Sequence, residues 1–245
     1  MAEISLRAEE IFHIGNFAIT NSLLLSSITL IFLSSIALAL RRNLAMSPGG
    51  IQNAMEIFVD GALDFTSSVL GGSRAKAEKY FPLITTIFVF ILFSNWLGLL
   101  PGIGSIVVNT HEGQFPLLRS PASDLNFTLA LAIISVVATN LIGVGALGLL
   151  KHGKKFLNFK NPIAFFVGIL EIISEFAKIV SFSFRLFGNV FAGEVLLVII
   201  AFLVPYLIPL PFMFLEIFVG FIQAFIFAML TLVFIASATT EEQAH

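Results

Sequence analysis

The sequence predicts an all-α membrane protein with five membrane helices and one interfacial amphipathic helix. The last two membrane helices form a long, steeply tilted hairpin. Three observations carry this. First, 58% of the 245 residues are hydrophobic and only 11% charged, with mean hydropathy +1.00, whereas soluble domains carry about 25% charged residues. Second, four apolar regions each reach the ~20 residues that cross a bilayer. Third, the last of these, 162–238, is long enough for two helices and has Pro205, Pro209 and Pro211 near its middle, the signature of a turn.

The elements follow in order along one membrane domain, 1–245, with no internal repeat. Residues 1–17 hold Glu3, Glu9 and Glu10 ahead of the first apolar run. A secretory signal needs a basic start, so this segment is not one; the loop charges place it as an outer N-terminus. Span 1 is 18–40. Over 48–70 the residues alternate at helical period, with Gln52, Glu56, Asp60 and Asp64 on one face and Ile51, Met55, Phe58 and Ala62 on another. That pattern predicts a helix lying in the membrane interface, its acidic face packed at the surface or turned to a protein partner. Span 2 is 80–101, with Tyr80 and Trp96 as interface anchors. An outer loop, 102–124, leads to span 3 at 125–150. Asn95 and Asn140 read as interhelical hydrogen bonds, and Gly98, Gly102 and the "GVGALG" run at 143–148 as sites of close helix contact. A basic inner loop, 151–161, precedes helices 162–204 and 206–238 and an inner tail, 239–245.

Loop charge sets the expected orientation. Arg41, Arg42, Arg74, Lys76 and Lys79 lie in one loop and Lys151, Lys154, Lys155 and Lys160 in another, while the remaining flanks offer Arg7 and Arg119. Basic residues accumulate on the cytoplasmic side, so the N-terminus lies outside and the C-terminus is cytoplasmic. A net charge of −2 gives nucleic acid no purchase. With no cysteine in the chain, disulfide and thiolate chemistry are excluded.

From Ile163 to Val204 no proline interrupts 42 residues. A continuous helix of that length is about 63 Å long against a hydrocarbon core of ~30 Å. On it Glu171, Glu175, Lys178, Arg185 and Asn189 share a stripe about 80° wide at 100° per residue, edged by Ser174 and Ser181. Ionisable groups at mid-membrane cost ~2.5–3.5 kcal/mol each and face protein or water. Glu175 and Lys178 can pair locally, but no acid lies three or four residues from Arg185. The final helix carries Glu216 and Gln223 on one face. Measured from the proline turn, Glu194 and Glu216 lie nearest the outside, Asn189 and Gln223 beside Arg185, and Glu171, Ser174 and Glu175 toward the inside. The sequence has no H-E-x-x-H, no G-x-S-x-G and no phosphate loop. Metal, cofactor and nucleotide are therefore not expected on this chain.

"RLFGNVFAGE" at 185–194, "FIQAFIFAMLTLVFI" at 221–235, "NWLGLLPG" at 95–102 and "SDLNFTLALA" at 123–132 resemble the subunit a family of F-type ATP synthases. The resemblance runs from the first span to the tail. It implies a proton-conducting stator, not an enzyme on its own, set beside a rotating c-subunit ring and held by peripheral stalk b subunits. It further implies two offset aqueous half-channels. Arg185 takes the family's essential arginine, Asn189, Glu194, Glu216 and Gln223 take polar positions of the outer half-channel, and Asp124 an acidic position near its mouth. Many members have histidine at a position matching Glu194 or Glu216, where this chain has glutamate at both. The polar residues Glu171, Ser174, Glu175 and Ser181 are assigned to the inner half-channel. The absence of a transit peptide points to a bacterial plasma membrane.

Physics agrees with that role for Arg185. A guanidinium stays charged at any relevant pH, so a proton cannot hop through it, and it favours the ionised form of a passing carboxyl group. The rival reading, a secondary transporter or ion channel, shares buried charges. It predicts inverted repeats and broken helices, and neither is visible.

Overall fold

The computed structural model of the chain describes residues 8–15, 17–42, 49–100, 102–103, 106–110, 113–156, 161–204 and 207–239. Arg7, Lys160, Pro205, His111 and the expected inner tail beyond Thr239 lie outside the described residues. Five helices are long and apolar enough to cross a membrane: α1 (Asn21–Arg42), α3 (Arg74–Gly98), α4 (Leu125–Leu147), α6 (Pro162–Leu203) and α7 (Pro209–Thr239). Between them lie α2 (Gly50–Val69) and the short α5 (Leu149–Phe156).

Local chemistry sets the helix ends. The Ser73 hydroxyl accepts from the Lys76 amide to cap α3, and the Asp124 carboxylate accepts from the Asn126 amide to cap α4. Gly71 and Gly72, at φ 74° and 80°, make the sharp turn between α2 and α3. Gly148, at φ 85°, separates α4 from α5. The basic stretch expected as a loop at 151–161 is thus helical through Phe156, as a turn that folds back onto α4 and α6. The expected outer loop also has structure of its own. Strands β3 (Val107–Thr110) and β4 (Gly113–Pro116) pair antiparallel, as do β1 (Glu10–Ile14) and β2 (Phe17–Thr20) before α1.

The packing is that of a protein solvated by lipid. Helices α3, α4, α6 and α7 share a core of Ile87, Ile91, Leu92, Ala132, Phe182, Leu186, Ala224 and Phe227. The Phe182 and Phe227 rings pack at a tilt with centroids 4.7 Å apart. A second cluster joins Tyr80 and Ile84 of α3 to Leu232 and Ile235 of α7. Elsewhere polarity runs inward. The buried residues of α1 are Asn21, Ser22, Leu25, Ser26 and Thr29, while Leu30, Ile31 and Leu38 are exposed. Small and hydroxyl residues likewise fill the buried side of α4, and hydroxyl pairs cross between helices: Thr128 with Ser183 at 3.1 Å, and Ser135 with Thr231 at 2.8 Å. Lipid offers apolar groups no reason to hide, so close backbone approach and interhelical hydrogen bonds supply the association.

Helix α6 runs unbroken through its 42 residues, Gly188 and Asn189 included. It packs on α4, α5 and α7.

Candidate functional site

Arg185 sits midway along α6. Phe182, Ser183 and Leu186 bury themselves against neighbouring helices, while Ser181, Phe184, Gly188 and Asn189 stay exposed on the other side. Arg185 is half-buried between them. Its Nη2 donates to Ser181 Oγ at 3.1 Å, and the Asn189 amide donates to the Arg185 carbonyl at 3.0 Å. Among the described residues no carboxylate lies within ion-pair distance of the guanidinium.

Toward the C-terminal end of α6 is a cavity of about 330 Å³ lined by Glu194 and Glu216, with Asn95, Arg119, Ser120 and Gly220 among its other walls. Gly193 makes room for it: a Cβ there would collide with the Glu216 carboxyl group, which lies directly against the α6 backbone. One oxygen of Glu194 meets Arg119 Nε at 3.3 Å. The other is buried without a hydrogen-bond partner, as are Asn95 Oδ1 and Ser120 Oγ. Buried polar atoms are normally paired with protein or water. Glu194, Asn95 and Ser120 thus bring three unpaired buried polar atoms to the walls of one cavity whose lining is otherwise largely apolar.

At the opposite end of the α6 stripe the carboxylates are ion-paired. Glu175 Oε1 takes Lys178 at 2.7 Å, and Glu171 takes Lys155 of α5 at 2.6 Å. Lys178 also lies over the Phe234 ring, 4.6 Å from its centroid. The second oxygen of Glu175 accepts from Asn140 Nδ2 at 3.0 Å, and Asn140 Oδ1 meets His152 Nε2 at 3.1 Å. Burial of His152 lowers its pKa from 6.5, with Lys155 adding to the effect and Glu175 and Glu171 opposing it.

The family model described as ATP synthase A chain matches residues 22–236. The chain belongs to the ATP synthase A chain family. A Campylobacter jejuni relative named ATP synthase subunit a is 37% identical over 213 residues, 86% of each chain. The same name is borne by a Syntrophobacter fumaroxidans relative, 37% identical over 94% of this chain and 88% of its own. A Helicobacter pylori relative, also so named, is 34% identical over 96% of this chain and 98% of its own.

Within this member of the family, Glu194 and Glu216 come together at one cavity and Ser181 meets Arg185. Other expected residues are placed differently. Asp124 is not among the cavity walls: it caps α4 and accepts from Ser22 Oγ at 2.9 Å, tying α1 to α4. Asn189 turns its amide to its own helix, Gln223 is half-buried on α7, and Ser174 is exposed. Sequence reasoning also left Arg119 as a mere loop charge and did not single out His152. Arg119 is buried, and besides Glu194 it meets Glu9 at 3.5 Å and Ser123 at 3.0 Å. No signal at helical spacing links residues so far apart in the chain.

Proposed function

We propose that the chain is the proton-conducting stator subunit of a rotary ATP synthase in a bacterial plasma membrane, N-terminus outside and C-terminus cytoplasmic. It sits beside the c-subunit ring and is anchored by peripheral stalk b subunits. Protons enter from the outer side through the cavity holding Glu194 and Glu216, with Asn189 and Gln223 leading on toward Arg185 and Asp124 near the mouth. They leave on the inner side past Ser181, Glu175, Ser174 and Glu171. A ring carboxyl group opposite Arg185 gives up its proton because an opposite charge within ~4–6 Å lowers a carboxyl pKa by about 1–3 units. Each transfer down the membrane potential is worth ~2.3 kcal/mol per charge per 100 mV.

The observation that carries the reading is Arg185 itself. It is a permanent cation with no carboxylate partner among the described residues, set on the uncovered side of α6 between a carboxyl-lined cavity and a paired polar cluster. An unpaired charge is costly, so it calls for a partner from another chain. Arg185→Ala in the assembled complex in vesicles is expected to abolish ATP-driven proton pumping and to open a passive leak. Retained coupled pumping rules the reading out.

A further inference from the structure

The chain of contacts from His152 through Asn140 to Glu175 fixes more than its distances. Asn140 Nδ2 donates to two oxygens, the Val136 carbonyl at 2.9 Å and Glu175 Oε2 at 3.0 Å. Turning the amide over would set its own oxygen against both, so Oδ1 must face His152. An amide oxygen only accepts, and His152 Nε2 therefore carries the proton. The imidazole is buried, its edge against Phe156 with centroids 5.6 Å apart. Its other edge lies on Gly143, where a Cβ would come within 2.7 Å of the ring. A ring that can move neither way delivers its N–H to one place.

We propose that His152 is a positioning residue for the inner side of the proton route: through Asn140 it holds the Glu175 carboxylate in place from α4 and α5, leaving the other carboxylate oxygen to Lys178. Among the described side chains, the charged groups around this network are Lys151 and Lys155 on α5 and Glu171, Glu175 and Lys178 on α6; α4 contributes only the neutral Asn140. Burial and Lys155 keep the imidazole neutral at neutral pH, with a single N–H to give. The importance of Glu175 for transfer rests on the function proposed above; its positioning by His152 does not.

The test uses the intact synthase in vesicles. His152→Phe keeps the ring and removes the donor, and should slow proton transfer on the inner side about three- to tenfold, the scale of one hydrogen bond between neutral groups. His152→Gln places an amide N–H near the Nε2 position and should restore most of the rate. In a Glu175→Ala background, His152→Phe should cost nothing more. The infrared carboxylate band that Glu175→Ala deletes should shift in His152→Phe and return in His152→Gln. Equal losses in both backgrounds, or an unmoved band, overturn the proposal. A shifted band with unchanged flux upholds the positioning and removes Glu175 from the proton route. If His152→Phe does not assemble, Asn140→Ala breaks the same link and must show the same band shift.

Discussion

Arg185 and the two carboxyl groups nearest the cavity divide the work by what each can ionise. The guanidinium cannot release its proton, which suits it to the barrier role proposed above. Glu194 and Glu216 can, and they differ in surroundings: Arg119 holds one oxygen of Glu194, while Glu216 is buried against the glycine backbone at Gly193. Glu194→Gln or Glu216→Gln is expected to slow proton entry by on the order of 10²-fold, the scale of a lost acid–base group. The double variant should cost less than the product of the two losses. Flux measured across the three variants decides it, and strictly multiplicative losses mean two separate entry points. The sequence made part of this legible. The i,i+3 spacing of Glu175 and Lys178 announces their pair. Nothing local announces that Arg119 meets Glu194 and Glu9, because three distant segments must fold before those charges share a space.

At the scale of the element, α5 is where expectation and structure part most. A lysine-rich stretch after a glycine reads as a solvated loop. It folds as a helix because one face finds partners: His152 on Gly143 and Asn140, Lys155 on Glu171, and the Phe156 carbonyl against Gly168, where a Cβ would collide with it. The β hairpins were illegible for a similar reason. Strands of 4 and 5 residues carry too little period-2 pattern to stand out. The docking of α5 has a pH signature. His152 has its pKa lowered from 6.5 by burial, so the docked state binds fewer protons than the undocked one. Its stabilisation is fully present above the free value and diminishes as pH falls below it. Amide exchange of α5, corrected for the intrinsic rate, should therefore show protection falling between about pH 7.5 and 5.5. His152→Gln should flatten that dependence. Protection that rises on acidification would mean the imidazole is held charged.

The molecule as a whole follows from the membrane as solvent. Its five crossings were legible because a run of ~20 apolar residues has one common explanation. The unbroken course of α6 was legible because a turn at Gly188–Asn189 would have inverted everything after it. The orientation makes a further prediction. Single cysteines in this cysteine-free chain should be labelled by impermeant reagents from the outer side at Phe12 and Val107 and from the cytoplasmic side at Arg42 and Lys151. The opposite pattern inverts the assignment of the two ends of the proton route.

The length of α6 also bears on how voltage is spread across the protein. A helix of about 63 Å would have to lean about 60° from the normal to fit wholly within a ~30 Å slab, well beyond the usual ~20°. Each turn of 5.4 Å then changes depth by only about 2.6 Å while moving more than 4 Å sideways. From Glu175 to Glu194, ~29 Å along the axis, the depth changes by about 14 Å. On the function proposed above, an aqueous path to Glu194 and Glu216 would bring the outer potential inward and compress the field into the thin dry layer around Arg185. A charge carried sideways past that residue would then cross most of the voltage in a small vertical step, and a shallow slope along one helix would become leverage for lateral motion.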